Sequence, residues 1–267
     1  MLGAVFGDIL GSYYESYTAT EYNFPFHPVS TFTDDTVLTM AVCRAVLNNT
    51  KDINCIQIRK RGAEYVAQYR HFYNRFPNAG YGQMFSEWAR KKELSVSHSF
   101  GNGAAMRVVP IGFAYDTLKQ VLLQAKASAY FTHRSREALK SAQAVASAVF
   151  LARKGKSKEE IINFLENRFH YDLSLRLDDI RKDYEFNSRA SYSVPPAIIA
   201  FLESSDYESA VRNAIYLGGD ADTQAAIAGG IAEAFYKEIP QHIYDFCYSR
   251  IDISFRMVIS DFYAKYI

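Results

Sequence analysis

An all-α fold, in one domain spanning residues 1–267, is what this sequence predicts. Three observations carry it: apolar residues recur at i, i+3 and i+4 in segment after segment, alanine-rich faces repeat, and alternating strand patterns are few and short. Hydrophobic residues make up 49% of the chain and aromatics 15%, with Tyr and Phe carrying most of the aromatic share, so a substantial interior is available.

Taken in order, Gly7-Asp8-Ile9-Leu10-Gly11 sets glycines at a helical spacing that lets two helices approach closely, and Glu15 follows among aromatics. Thr36 to Leu47 places Val37, Met40, Ala41, Arg44 and Ala45 at helical offsets. Further helices are expected near Ile58 to Tyr73, Leu118 to Tyr130, Lys140 to Ala152, Lys158 to Arg168, Pro196 to Glu203, Tyr207 to Tyr216 and Gln224 to Tyr236. Pro195-Pro196 suits a helix start, because proline costs least in the first turn. Ser95 to Phe100 reads as loop, Arg153 to Ser157 as a short turn, and His170 to Ser193 as a long irregular connection without the composition of an interdomain linker.

The 30 basic and 29 acidic residues nearly cancel and form no long block of one sign, which leaves no footprint for nucleic acid or an anionic membrane. Cys43, Cys55 and Cys247 match neither a disulfide framework nor a zinc spacing and read as reduced core thiols. The first eight residues lack a basic n-region and meet an acid at Asp8, which argues against a signal peptide, and no apolar run approaches the roughly 20 residues of a membrane span. A cytoplasmic monomer is the expectation.

Two acidic clusters each close a loop before an alanine-rich helix: Phe32-Thr33-Asp34-Asp35-Thr36 and Gly218-Gly219-Asp220-Ala221-Asp222-Thr223. Any one of these Asp residues would serve as a helix cap. Capping needs one side chain per helix, whereas four carboxylates and at least two hydroxyls accumulate at these two starts. If the clusters converge, adjacent carboxylates at ~4 Å repel by roughly 4 kcal/mol at an effective dielectric of 20. A helix dipole returns only ~0.3–1 kcal/mol, so bound cations are the natural counterweight. The set is all oxygen, which favours Mg²⁺, Mn²⁺ or Ca²⁺ over Zn²⁺. An EF-hand fails because Ala225 stands where its loop needs Gly, and a phosphatase-type Asp-x-Asp-x-Thr fails because Gln224 stands where it needs Thr.

A third small-residue stretch, His98 to Arg107, includes Gly101-Asn102-Gly103 and offers backbone N–H groups to a phosphate. His133 sits at the start of another helix, with Thr132 as its cap, while His27 and His242 read as structural.

Six motifs taken together resemble the ADP-ribosylglycohydrolase family: Gly7-Asp8-x-x-Gly11-x-x-x-Glu15, Thr33-Asp34-Asp35-Thr36, Gly101 to Arg107, Thr132-His133, Ser193-Val194-Pro195 and Leu217-Gly218-Gly219-Asp220-x-Asp222-Thr223. The resemblance implies a compact orthogonal helical bundle and two Mg²⁺ ions, with Mn²⁺ as a substitute, held by Thr33, Asp34, Asp35, Asp220, Asp222 and Thr223. It implies hydrolysis of the bond between ADP-ribose and an acceptor on a protein or small conjugate. Asp34, Asp35 or Asp220 would act as base, with Glu15 guarding the metal site and positioning water or leaving group. The motifs look closest to the branch that cleaves serine-linked ADP-ribose and poly(ADP-ribose). Ser99, Phe100, Gly101, Asn102 and Gly103 would then contact diphosphate and distal ribose, Met106 and His133 would border the same pocket, and Asn187 would lie on the adenine side. In that branch an Asn-Gly pair precedes Ser-Val-Pro, whereas here Asn187 is followed by Ser188. Arginine-linked, nucleobase-linked or O-acetyl-ADP-ribose are the alternative substrates, and nucleic acid is expected as a partner only where it is itself ADP-ribosylated. A non-catalytic, crystallin-like structural role is the alternative of another class, and the complete ligand set speaks against it.

Overall fold

Helical periodicity carries through to fourteen α-helices in the computed structural model, which describes residues 1–267. They are α1 Leu2–Gly11, α2 Asp34–Asn48, α3 Ile58–Arg75, α4 Gln83–Arg90, α5 Val109–Ala114, α6 Leu118–Ala129, α7 Arg136–Arg153, α8 Lys158–Phe169, α9 Leu177–Arg181, α10 Ala190–Leu202, α11 Tyr207–Leu217, α12 Ala221–Tyr236, α13 Gln241–Tyr248 and α14 Ile253–Tyr266. Short 3₁₀ turns lie at Cys55–Gln57 and Asn102–Ala104. There is no sheet; two isolated bridges join His98 to His133 and Gly101 to Arg189. No helix is long and apolar enough to cross a membrane.

Helix α12 is the centre of the packing. Every residue from Ala221 to Ala234 is buried, against α1, α7, α10 and α11. Its partner α1 is buried over its whole length. The expected close approach is there: a Cβ on Gly3 would lie 2.3 Å from Gly229 O, and one on Gly7 2.1 Å from Ala225 O. No side chain fits at such distances, so the two backbones touch, which maximises dispersion contact per residue. At one end of this pair Glu233 accepts the Gly3 N–H at 2.8 Å and a bond from the Tyr263 hydroxyl on α14. At the other end, a Cβ on Gly11 would be 2.6 Å from Asp222 Cα, so the segment that follows α1 is delivered onto the first turn of α12.

Four expectations need correction. The stretch from His170 to Ser193, expected as an irregular connection, carries α9 and the first turn of α10. Helix α10 begins at Ala190, and Pro195 and Pro196 lie inside it. An interior proline removes a helical donor at a cost of about 3 kcal/mol, so the rule that places prolines at a helix start is broken here by tertiary context. The turn that precedes them carries Ser193, which the site uses. Ser135, not Thr132, caps α7: its hydroxyl accepts from Ala138 N at 3.2 Å. Of the three free thiols, Cys43 and Cys247 are buried, but Cys55 opens a surface 3₁₀ turn capped by Asn54 and is exposed.

Candidate active site

The start of α2 shows why its carboxylates are surplus to capping. Thr33 is the cap residue, its Oγ1 accepting from Asp35 N at 3.3 Å, which leaves Asp34 and Asp35 unspent. What holds Thr33 is Asp8, projecting from α1 and fully buried. Its carboxylate accepts from Thr33 N at 2.9 Å, Thr33 Oγ1 at 2.7 Å, Thr36 N at 3.0 Å and the Thr36 hydroxyl. Four donors on one buried carboxylate fix the α2 start against α1.

The start of α12 is shaped by two successive glycines in the left-handed region, Gly218 at φ 86° and Gly219 at φ 71°. That double turn brings Asp220, Asp222 and Thr223 inward. Asp220 occupies the cap position but makes no capping bond, and Asp222 accepts from Thr223 N at 2.7 Å. Thr223 Oγ1 then donates to Asp35 at 3.1 Å and 3.2 Å, so clusters 188 residues apart in sequence meet directly. Carboxylate oxygens of Glu15, Asp220 and Asp222 all lie within 4.8 Å of one another. Asn102, from the 3₁₀ turn, donates through Nδ2 to Asp220 Oδ2 at 2.7 Å and to Ser193 Oγ at 3.0 Å, tying the third stretch and α10 to the same centre.

Such a cluster is electrostatically unfavourable as it stands. Burial, then the charges of Asp8 and Asp220, push the Asp34 carboxyl up to about 8. Burial and the neighbouring acids raise Asp35 and Asp222 well above the carboxylate range, and burial together with Asp220 and Asp8 raises Glu15. A shared site of like charges must hold protons or cations. With only oxygen donors and no Cys or His in the cluster, the residues fit a hard divalent cation.

The acids line a cleft of about 470 Å³, a size ordinary for a small-molecule site. All six residues expected to hold metal line it, with Glu15, Ser99, Gly101, Asn102, Gly103, Met106 and His133. Phe100 and Asn187 do not. The Phe100 ring is exposed and carries the Arg189 guanidinium 5.2 Å from its centroid, and Asn187 Oδ1 accepts from Arg189 N at 2.9 Å in a local turn. The loop that bears Ser99 to Gly103 is laced to the start of α10 by Asn102 N donating to Ser188 O at 2.8 Å and Ala190 N to Phe100 O at 2.9 Å. Sequence reading missed Asp8 as the clamp on Thr33, the aromatic wall of Phe85 and Trp88 on α4, the buried Arg107, and Phe186. Asp8 had a signal, since it sits between the two glycines of the first motif. An α4 of eight residues gives too few turns for its wall to be read.

An all-helical chain with an all-oxygen acidic cluster lining a cleft defines a class of helical protein whose small-molecule site suits a divalent cation. Within that class the chain belongs to the ADP-ribosylglycohydrolase family, whose model matches residues 1–263, and it is thereby a glycosidic-bond hydrolase. It is similar to ADP-ribosylhydrolase ARH3 of Homo sapiens, 27% identical over 95% of this chain and 90% of that protein, and to ADP-ribosylhydrolase ARH3 of Xenopus tropicalis, 27% identical over 89% and 86%. An uncharacterized protein of Archaeoglobus fulgidus is 35% identical over 52% of this chain and 50% of its own length. Among solved structures, one described as an ADP-ribosylglycohydrolase-related protein complex superposes with a TM-score of 0.70 at 25% identity, covering 100% of this chain and 96% of that one.

Proposed function

We propose that this chain is a magnesium-dependent ADP-ribosyl hydrolase that cleaves the bond between the ribose anomeric carbon and the oxygen of a modified serine. Two Mg²⁺ ions, replaceable by Mn²⁺, would be held by Thr33, Asp34, Asp35, Asp220, Asp222 and Thr223. One observation carries the reading: the Thr223 hydroxyl on Asp35 joins two acidic clusters into a single centre that opens on a cleft. The family and the relatives named ADP-ribosylhydrolase support the reaction class. The acceptor is chosen from the Ser99 to Asn102 and Thr132-His133 motifs.

When bound, divalent cations shield the carboxylates, polarise the substrate's oxygens and lower the pKa of an attacking water. The chain's residues do the rest. As water adds to the anomeric carbon and the carbon–oxygen bond to serine breaks, Asp34, Asp35 or Asp220 takes the water's proton. Asn102 orients Asp220 by engaging Oδ2, which leaves the other oxygen to act. Glu15, open to solvent on one side and close to Asp220 and Asp222, is placed to orient water or to return a proton to the departing serine oxygen. The Ser99 to Gly103 loop, with Met106 and His133, would hold diphosphate and distal ribose.

The test is Asp222→Ala, assayed for ADP-ribose release from a serine-modified peptide with Mg²⁺. Loss of at least about a hundredfold is expected, since even outer-shell changes around a metal cost 10–100-fold. Full retained activity would contradict the metal role, and turnover confined to arginine-linked substrate would move the acceptor assignment.

A further inference from the structure

Besides the carboxylates, the cleft wall contains a chain of three polar residues that rests on a buried cation. Arg107 is fully buried with its guanidinium 4.2 Å from the Tyr69 ring centroid. It makes one hydrogen bond, Nη2 donating to Thr132 Oγ1 at 2.7 Å, while Nε and Nη1 have no partner. The same hydroxyl oxygen lies 2.9 Å from His133 Nδ1.

Proton counting favours one direction for that contact. A guanidinium only donates, and a threonine hydroxyl has one hydrogen to give. Within the protein the Thr132 hydroxyl meets only Arg107 and His133, so Nδ1 is its one protein acceptor. A buried hydroxyl hydrogen without an acceptor costs about 1–3 kcal/mol. Nδ1 therefore accepts, and the imidazole's single proton is on Nε2.

We propose that Arg107, acting through Thr132, fixes His133 as the neutral Nε2–H tautomer, so that the cleft carries a permanent, uncharged hydrogen-bond donor beside Gly101 and Gly103. The glycines leave that donor bare: a Cβ on Gly103 would lie 3.1 Å from Nε2 and one on Gly101 3.8 Å, and no protein acceptor meets Nε2. Charged and titratable groups near the ring include Arg107 beyond Thr132, Arg134 next in the chain, His98 across the bridge, and Tyr69 on α3 under the Arg107 guanidinium. Asp34 and Asp35 face Arg107 from the cleft, while burial, then the charge of Arg107, hold the imidazole well below its ordinary range. An acceptor-rich group, a sugar hydroxyl or a phosphate oxygen, suits such a donor, and a cation does not. Arg107 and Thr132 are positioning residues. The ligand side of this inference rests on the function proposed above; the tautomer does not.

The experiment is a long-range ¹H–¹⁵N correlation of the histidine rings in the full-length protein at neutral pH, with His133 assigned by its absence in His133→Gln. The expected pattern is that of a neutral ring protonated at Nε2 alone. Thr132→Val is expected to lose that pattern, toward the Nδ1–H form or a mixture, and to raise KM for the ADP-ribosyl substrate about tenfold with kcat changed less, the worth of one hydrogen bond. Thr132→Ser should restore both. An imidazolium or an Nδ1–H ring in the unaltered protein overturns the proposal, as does an unchanged ring in a folded Thr132→Val. Absence of ADP-ribose turnover with the ring pattern intact would instead remove the functional reading and leave the tautomer standing.

Discussion

Gly7 and Asp8 are neighbours on α1, yet they serve opposite regions of the molecule. Gly7 faces α12, where backbone meets backbone and a Cβ would sit 2.1 Å from a carbonyl oxygen. Asp8 faces α2, where its buried carboxylate gathers four donors and helps create a centre full of like charge. The first contact is neutral and close-packed, so it stabilises the fold without any ligand. The second fixes the start of α2 but brings Asp34 and Asp35 among like charges that protons or cations must offset. The seam between α1 and α12 thus supplies the rigidity that a charged site at its end requires.

Four changes would break or sharpen that contrast. Gly7→Ala should have the largest effect, because its neighbours are backbone atoms that cannot rotate away. A loss of about 3 kcal/mol or more is expected, seen as a fall in thermal midpoint or as insoluble protein. Asp8→Asn comes next. An amide cannot accept all four donors, so Thr33 loosens, and Mn²⁺ affinity by calorimetry should weaken about 10–100-fold while the midpoint of the metal-free protein changes less. If the two substitutions had the same profile, the division of labour would be wrong.

The third is a pH effect. Asp34 in the folded chain has a value of about 8 against an ordinary 3.8, so between those limits the folded state binds more protons than the unfolded one. Stability of the metal-free protein therefore falls as pH rises from about 4 to 8. In chelator, the thermal midpoint should be lower at pH 8 than at pH 5, and added Mg²⁺ should raise it more at pH 8. An equal Mg²⁺ effect at both values would mean that protons and cations do not compete for one centre. Smallest of all is Cys55→Ser, on an exposed turn that does not line the cleft, expected to lie within about 0.5 kcal/mol in stability with activity unchanged.

Much of this was legible in the chain. The expected helices at Ile58, Leu118, Lys158 and Tyr207 begin where the structure begins them, because Ser157 with Glu160 and Asp206 with Ser209 cap openly and the apolar period is regular. The acidic clusters were legible because capping cannot use so many carboxylates. Glu15 could be read as solvated or as part of the site, and it is both: exposed, with its carboxylate against Asp220 and Asp222. The start of α10 was not legible, since its prolines obey tertiary needs over local preference and Ser193 is needed one turn earlier for Asn102. Helices α5 and α9, of six and five residues, are too short to show a period. The Arg107 to Thr132 bond spans 25 residues and the helices α5 and α6, and no spacing rule announces it.

The central claim is that residues from the two ends of the chain hold divalent cations jointly. It is tested most directly by calorimetric titration of chelator-treated protein with Mn²⁺, comparing the unaltered chain with Asp35→Asn and Asp222→Asn. The account predicts two ions bound per chain, and a loss of affinity for at least one of them from either substitution alone. Binding that survives unchanged when one cluster is altered, or no binding in the unaltered protein, would contradict it.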